Sequence, residues 1–399
     1  MSTSVPLRAR RAAPLSRTQG RSKVMIVAGA LFLVTSAVNL QMPLYTVYAG
    51  MDGHGTSVVT IVFSFYVTGL LPVLIFLGGI SDRLGRRRAI FLALALAIGA
   101  TLIVSLKPGL ATLVIARILQ GIAVGLCAGA GTAFLSELLP GPKAPERAAV
   151  YVAAMTSFGF GSGALFTGAA LFFQETLTPI SYFIHMFLSF SCLLALFLVP
   201  ESRTHSLSPR MRLPHFPAGI LFYGSAVAVA WAVAGMVIAV VPAELARHGL
   251  IAWSGLALFL VCGAGMLCQP LARKMGARQA VRLGLVLVPA GYALLAVGAW
   301  LGMVALVLVG SALAGAACYG FTYLGGLTGI SAIAGTNRAS AISGYFLFAY
   351  LGFSLPVALS GLIADALGLS TALLLFGIAV LIAHLALWFV EVPGWEERG

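Results

Sequence analysis

Twelve long apolar runs, separated by short polar connections, constrain this chain more than any other feature of its sequence. An α-helix needs about 20 apolar residues to cross the hydrocarbon core of a membrane. Backbone groups in lipid must be satisfied within each segment, so each run is predicted to be a helix. The predicted spans are 24–48, 57–80, 89–106, 110–136, 149–173, 179–199, 217–243, 250–271, 281–299, 303–330, 341–364 and 371–390.

Composition supports the same class. Of 399 residues, 60% are hydrophobic, and 11 acidic plus 24 basic residues cannot cover a soluble protein of this size. The sequence therefore predicts an all-α integral membrane protein whose surroundings are a lipid bilayer. A net charge of +13 would suggest nucleic-acid binding in a soluble protein. The positive-inside bias explains this charge more economically, so no nucleic-acid partner is expected.

The basic residues predict an orientation. If the N-terminus is cytoplasmic, 21 of the 24 Lys and Arg residues fall on the inner side, Lys107 and Arg247 fall outside, and Arg117 lies within a span. This asymmetry predicts twelve spans with both termini in the cytoplasm, in the inner membrane of a bacterium. The basic tail 1–23 is interpreted as a cytoplasmic anchor, and a mitochondrial presequence is the alternative that its composition allows.

The spans divide into two halves that resemble each other. We predict a tail 1–23, a six-helix bundle 24–199, a cytoplasmic linker 200–216, a second six-helix bundle 217–390 and a tail 391–399. "SDRLGRRRAI" after the second span has a counterpart in "ARKMGARQAV" after the eighth, with Gly85 matching Gly276. Parallel repeats with a binding site between them near the bilayer midplane are a transporter architecture.

Four motifs carry a resemblance to a known family. The stretch from Gly78 to Arg87 resembles the loop signature of the major facilitator superfamily, and "RILQGIAVG" (117–125) resembles its arginine motif, seen especially in drug:proton antiporters. "SELLPGPKAPER" (136–147) resembles the acid–base pair that closes the fourth span. "FGFGSGALFTG" (158–168) resembles the antiporter motif, with Ala164 where that motif has proline. The resemblance implies two pseudo-symmetric six-helix bundles that work by alternating access.

The resemblance also implies a cytoplasmic gate. In the family the loop after the second span meets the inner end of the eleventh span when the cytoplasmic side is closed. Asp82 would then lie against the partial positive charge of a helix N-terminus, and nearby arginines would balance it and reach an acid. The predicted gate residues are Gly78, Asp82, Arg83, Gly85, Arg86, Arg87, Glu137 and Arg147.

The candidate cavity residues are polar or aromatic groups within the spans. Arg117 lies about 10 Å deep at a rise of 1.5 Å per residue, where an arginine is costly, and it is predicted to face the cavity; the alternative is that it reaches the outer headgroups. Gln120 follows at i+3 on the same face. The other candidates are Asn39, Gln41, Tyr45, Trp231, Tyr319, Tyr323 and Tyr345.

Glycines at helical spacing in the fourth and fifth spans predict close helix packing. They are Gly121, Gly125, Gly159, Gly163 and Gly168. In the fifth span the same residues are equally compatible with an antiporter motif.

No catalytic, phosphate-binding or metal-ligand motif occurs in the sequence, so neither an enzyme nor a cofactor is predicted. We predict a monomeric secondary active transporter that exports small amphipathic or organic compounds in exchange for protons. An uptake symporter or a dedicated exporter of one metabolite is the alternative, and a membrane receptor or scaffold without transport is the alternative from another class.

Overall fold

The computed structural model of the chain describes residues 17–76, 84–201 and 213–390, and every regular element within these ranges is helical. Twelve of its helical segments are long and apolar enough to cross a membrane, which confirms the predicted fold class. They are α1 (Arg21–Met51), α2 (Thr56–Phe76), α3 (Arg86–Leu106), α4 (Leu110–Leu138), α5 (Ala144–Leu171), α6 (Ile180–Leu198), α7 (Ile220–Arg247), α8 (Ile251–Ala272), α9 (Ala277–Leu301), α10 (Val304–Ile333), α11 (Ser340–Leu367) and α12 (Leu369–Trp388).

The helices extend beyond several predicted spans. The helix that contains α1 begins at Arg17, α3 begins at Arg86 and α5 begins at Ala144, each a few residues before the predicted apolar run. Hydropathy marks only the part of a helix that lies in hydrocarbon. Charged first turns can continue the same helix into the headgroup region, where water satisfies their backbone groups.

The first helix of each half is broken near the same depth. In α1 the helix Arg17–Asn39 is followed by a 3-10 turn Met42–Leu44 and a short helix Tyr45–Met51. In α7 the helix Ile220–Ala239 gives way to Val241–Arg247. Pro43 and Pro242 lie in the first turn after these breaks, where a missing N–H costs nothing. The prolines therefore explain both bends.

Helix α10 contains a π-helical segment, Ala316–Thr322, between two α-helical parts. Such segments are rare and are frequent at functional sites. This one packs closely on α8, because a side chain at Gly265 would meet Gly315 and Gly320 of α10. The extra residue of the segment changes the direction in which the next turn of α10 faces.

Two helix pairs join the two six-helix bundles, α2 with α11 and α5 with α8. The ring centroids of Phe63 and Phe353 lie 4.8 Å apart between α2 and α11. Between α5 and α8, a Cβ atom at Gly168 would lie 2.8 Å from the Ala252 carbonyl oxygen. These contacts bring the backbones of the two bundles close together.

The end of the molecule at which α1 begins is called the basic end, and the other is called the opposite end. At the opposite end Asp365, the last acid of α11, lies against the first turn of α2. The Thr56 amide donates to Asp365 Oδ1 at 2.8 Å, the Ser57 amide donates to Oδ2 at 3.1 Å, and the Ser57 hydroxyl donates to Oδ2. The C-terminal end of α11 thus caps α2, and the two bundles are joined there.

Candidate functional site

A cavity of about 500 Å³ lies between the two bundles. Its lining residues come from the parts of α2, α4, α5, α10 and α11 that are nearer the basic end, together with residues of α1 and α7. At the opposite end α2 and α11 are in direct contact through Phe63 and Phe353 and through Asp365. The cavity therefore lies between the midplane and the basic end.

An aromatic cluster forms the wall that the second bundle contributes. Its centre is Trp231 of α7, whose ring lies 5.5 Å from Tyr319, 5.9 Å from Tyr323 and 5.1 Å from Tyr350, measured between centroids. All four residues line the cavity. The indole N–H of Trp231 is buried and has no hydrogen-bond partner among the described residues. A buried indole normally finds an acceptor, so Trp231 carries an unsatisfied donor beside the cavity.

The first bundle contributes an aliphatic wall with several hydroxyl groups. Thr35, Thr132 and Thr156 line the cavity, and each donates its proton to a carbonyl oxygen of its own helix, at 2.8, 3.0 and 2.7 Å. Their oxygen lone pairs remain as acceptors. Among the described residues that line the cavity, none carries a charge. The site can therefore hold an apolar or ring-bearing molecule with a few hydrogen-bonding groups.

Arg117 is fully buried between α1, α2 and α4 and is not part of the cavity lining. Its Nη1 donates to the Val38 carbonyl at 2.8 Å, and its Nη2 donates to the Phe63 carbonyl at 3.1 Å. The guanidinium also lies over the rings of Phe63 and Tyr66, at 5.2 and 4.9 Å from their centroids. It does not reach the headgroups. Carbonyl dipoles and ring faces stabilise its charge, and it cross-links three helices.

A polar network extends from Arg117 across the same three helices. Gln120 accepts from Arg117 at 3.3 Å and donates to the Ala37 carbonyl and to Gln41 Oε1, both at 2.9 Å. Asn39 donates to the Phe160 carbonyl of α5 at 2.8 Å. The unwound turn after Asn39 exposes backbone carbonyls to these side chains. The network therefore fixes the broken segment of α1 against α4 and α5.

The structure divides the predicted cavity residues into two groups. Trp231, Tyr319 and Tyr323 line the cavity. The other six are buried among helices and do not line it; they are Arg117, Gln120, Asn39, Gln41, Tyr45 and Tyr345. Tyr345 instead joins α11 to α10, because its hydroxyl donates to the Tyr323 carbonyl at 3.0 Å.

All five predicted packing glycines lie where two helices touch. A side chain at Gly121 would meet the Tyr66 carbonyl, and one at Gly125 would lie 2.8 Å from Val73, both on α2. On α5, Gly159 and Gly163 face Thr35 and Ser36 of α1 in the same way. Gly168 faces α8, as described above. These contacts hold α4 and α5 against their neighbours.

At the basic end, part of the predicted gate can be seen. Arg86 pairs with Glu137, with 2.6 Å between Nε and Oε1, and so joins α3 to α4 within one bundle. Gly85 adopts φ of 98°, which favours glycine, and a side chain there would meet Glu201. Arg147 is exposed at the start of α5. The residues Gly78, Asp82 and Arg83 lie outside the described ranges.

Glu201 is a residue that sequence reasoning missed at this end. It accepts from the Arg87 amide at 2.9 Å and lies 3.8 Å from Arg87 Nε. A carboxylate at the first turn of α3 is favourable because a helix N-terminus carries partial positive charge. In the sequence Glu201 directly follows Pro200 at the start of the linker between the two bundles. Nothing in that position indicates a partner more than a hundred residues earlier.

Sequence reasoning also missed several cavity residues. They are Thr35, Thr132, Thr156, Ser157, Phe160, Ser343 and Phe346. Helical spacing is the signal that could have found them: Val152, Thr156 and Phe160 recur at i+4, and Ser343 and Tyr350 are seven residues apart. That signal groups residues on one face but does not say what the face meets.

The twelve-helix fold with a cavity between two six-helix bundles defines an alternating-access membrane transporter. The family model of the Major Facilitator Superfamily matches residues 24–288, and the chain belongs to this superfamily. It is therefore a transporter and not an enzyme, with a small-molecule substrate and a bilayer as its surroundings. No curated protein sequence matches the chain.

Solved structures of transporters share this fold. One is a bacterial homolog of the human lysosomal transporter Spinster, in an inward-facing and unoccupied conformation, with a TM-score of 0.73 and 15% identity over 94% of this chain and 97% of that one. Another is a mutant of the nucleoside transporter NupG, with a TM-score of 0.74 and 14% identity over 92% of this chain and 99% of that one. At these identities the likeness concerns the fold.

Proposed function

We propose that this protein is a proton-coupled exporter of small amphipathic organic compounds that carry aromatic or other planar groups. The uncharged, aromatic cavity between the bundles is the observation that carries the proposal. Rings bind favourably in offset or edge-to-face contact with the Trp231 cluster, and a delocalised cation is attracted to the same ring faces. A compact, strongly hydrated ion would lose its hydration without a charged partner.

Proton exchange rests on the resemblance of the motifs at 117–125 and 158–168 to those of antiporters. The arginine in the first motif is held in a polar network that borders the cavity wall of the first bundle. We propose that this network couples the position of α1, α2 and α4 to the protonation cycle. The protein acts as a monomer, since one chain supplies both bundles and the cavity between them.

We propose that the structure corresponds to the state that is open toward the basic end. Asp365 and the Phe63–Phe353 contact close the opposite end. We propose that the basic end is cytoplasmic, as the distribution of Lys and Arg favours, so this is the inward-open state. Leu213 is exposed, so a cysteine in its place is accessible to reagents from its own side of the membrane. We expect this cysteine to react with a membrane-impermeant reagent only in permeabilised cells. Labelling of intact cells would contradict this orientation.

We also propose that Asp82 and its neighbours close the basic end in the alternate state. There Asp82 would meet the first turn of α11, with Arg83 and Arg87 balancing its charge while Arg86 keeps its pair with Glu137. The contact between Asp365 and the first turn of α2 supports this idea, because it is the same kind of contact between the same two helices at the other end. Each end would then be closed by an acid on one bundle and a helix N-terminus on the other.

A flux assay in proteoliposomes tests the function. Ethidium is a suitable probe because it is planar, aromatic and permanently charged, so a pH gradient does not trap it passively. We expect uptake when the lumen is acidic and loss of uptake when the gradient is collapsed. Protein-free liposomes and the Trp231→Ala variant are the controls.

The alternatives give different results in the same assay. A symporter would take up the probe only when the exterior is acidic, and a facilitator would equilibrate it without responding to the gradient. A receptor or scaffold would move neither ethidium nor any compound of a panel that includes polar metabolites. Each of these outcomes would overturn proton-coupled export.

A further inference from the structure

A second large cavity lies on the outer surface of the second bundle, in a groove between α9 and α12. Its volume is about 860 Å³, larger than that of the cavity between the bundles. Four of its lining residues have no side chain beyond Cβ, which leaves the space open: Ala290, Ala293, Ala296 and Gly377. The Tyr292 hydroxyl donates to the Leu373 carbonyl at 2.8 Å and so holds the two helices together beside the groove.

The groove is long enough to hold one lipid chain. Its lining on α9 runs from Leu285 to Val297, which is about 18 Å at 1.5 Å per residue. On α12 the lining runs from Leu373 to Phe389 at the basic end, which is about 24 Å. One leaflet of hydrocarbon is about 15 Å thick. The groove therefore begins at the membrane surface on the basic side and crosses most of the bilayer, and its part nearer the basic side can hold an acyl chain of the leaflet there.

Basic residues lie at the mouth of the groove. The guanidinium of Arg282 lies over the ring of Trp388, 5.6 Å from its centroid, and Trp388 lines the groove. Arg278 lies one turn earlier on the same face of α9 by helical spacing; it is half-buried, and its Nε is enclosed by protein. Neither arginine forms an ion pair with an acid in the described ranges. A guanidinium stacked on a ring still presents its N–H edge, which suits a phosphate.

The corresponding place in the first bundle lacks these features. Between α3 and α6 the space is only about 210 Å³, and the rings of Phe91 and Phe197 lie in it with centroids 5.7 Å apart. Of the two bases at its mouth, Arg87 is held by Glu201 and by the Val199 carbonyl at 3.1 Å, whereas Arg88 is exposed. Within the described ranges, the space between α3 and α6 therefore differs from the groove between α9 and α12 in volume and in the pairing of Arg87.

We propose that the groove between α9 and α12 is a binding site for one anionic phospholipid of the leaflet on the basic side. The phosphate binds Arg282 and Arg278, and one acyl chain lies along the small residues of α9 and α12. A headgroup with a net negative charge is favoured because the site supplies two positive charges and, among the described residues, no acid to pair with a zwitterionic amine. This site is separate from the transport cavity and does not depend on the identity of the transported substrate.

Native mass spectrometry of the full-length protein in detergent tests the proposal. The probes are phosphatidylglycerol and phosphatidylcholine with the same two oleoyl chains. We expect one phosphatidylglycerol to remain bound at concentrations where phosphatidylcholine does not. Arg282→Ala should weaken phosphatidylglycerol binding about tenfold, since hydrogen bonds to charged groups are worth that much. Arg88→Ala, at the mouth of the smaller space in the first bundle, is the matched control and should leave binding within twofold.

A second variant tests the acyl-chain part and does not depend on the arginines. Ala293 is exposed to lipid, so Ala293→Trp can fill the groove without disturbing the interior. It should also reduce phosphatidylglycerol binding, whereas Ala169→Trp, exposed on α5, should not. Equal binding of the two lipids, or equal effects of Arg282→Ala and Arg88→Ala, would show that lipid is held without selectivity and would overturn the proposal.

Discussion

The two bundles face the central cavity with different chemistry. In the first bundle the most polar group, Arg117, lies behind the cavity wall and bonds to carbonyls of α1 and α2. In the second bundle the aromatic cluster of Trp231, Tyr319, Tyr323 and Tyr350 is itself the wall. Two halves with the same helix arrangement have therefore divided two tasks. One holds a charge that fixes helix positions, and the other supplies the aromatic surface that lines the cavity.

This difference explains why a buried arginine can persist without a described acid beside it. A salt bridge would fix the charge to one partner, whereas carbonyl oxygens from two helices hold it in a fixed geometry that a planar guanidinium fits. The aromatic wall, by contrast, has an unpartnered donor in Trp231. Trp231 with its unsatisfied donor lines the cavity, whereas the arginine lies behind the cavity wall.

The largest effect is expected for Arg117→Ala. Transport should fall at least about a hundredfold, because α1, α2 and α4 lose their common cross-link. Stability should change little, since the lost packing of about 2–5 kcal/mol is offset by release of a buried charge that costs about 2.5–3.5 kcal/mol. Flux and thermal melting measured on the same preparation check both parts.

Two variants control this prediction. Arg117→Lys should rescue poorly, because a lysine cannot donate to the Val38 and Phe63 carbonyls with the planar geometry of arginine. Arg147→Ala, at an exposed position, should transport normally. Normal transport by Arg117→Ala would contradict the proposed division of tasks between the bundles.

The next effect is expected for Trp231→Ala. Loss of a buried aromatic anchor typically costs 2 kcal/mol or more, so affinity for a planar ligand should fall about 30-fold. Trp231→Phe keeps a ring but removes the N–H and should cost only about two- to fivefold. The change in affinity is measured by the quenching of tryptophan fluorescence by ethidium, or by the dependence of the transport rate on ethidium concentration. Trp300→Ala is the control, because Trp300 is exposed near the C-terminal end of α9.

A smaller effect is expected for Asp365→Asn, which weakens the contact that joins the two bundles at the opposite end. The interaction of a carboxylate with a helix N-terminus is worth about 0.3–1 kcal/mol, so the population should shift about two- to fivefold toward opening at that end. Electron-spin distance measurements between labels on the ends of α2 and α11 there would show it. Asp52→Asn is the matched control, because Asp52 is an exposed acid at the same end. Equal distance distributions in the two variants would contradict the role of Asp365.

The smallest effect is expected for Arg86→Gln. Arg86 pairs with Glu137 inside the first bundle, so both states of the transporter can keep the pair. Partly exposed ion pairs contribute about 0–1 kcal/mol, and a pair kept in both states shifts their ratio little. Transport should remain within about twofold. A change as large as that of Asp365→Asn would mean that the pair is broken in each cycle.

The number of spans and the all-helical class follow from the amino-acid sequence without knowledge of the packing. Hydrocarbon offers no hydrogen-bond partner, so each apolar run of sufficient length must satisfy its own backbone as a helix, wherever its neighbours lie. The sequence also indicated the family through local motifs such as those at 78–87 and 117–125. Trp231, Tyr319 and Tyr323 could be identified from the sequence because an aromatic side chain with a polar group is conspicuous within an apolar span.

The packing of the helices determines which face of each helix meets the cavity, another helix or lipid. Helices in a membrane are apolar on every side, so no amphipathic stripe distinguishes these faces as it does in a soluble protein. Arg117 and Gln120 therefore share a face by spacing, but only the packing of α1 and α2 shows that this face is covered by carbonyls. For the same reason the small residues of α9 and α12 look like ordinary span residues in the sequence. Their groove exists because the two helices lie side by side and no other described part of the second bundle covers it.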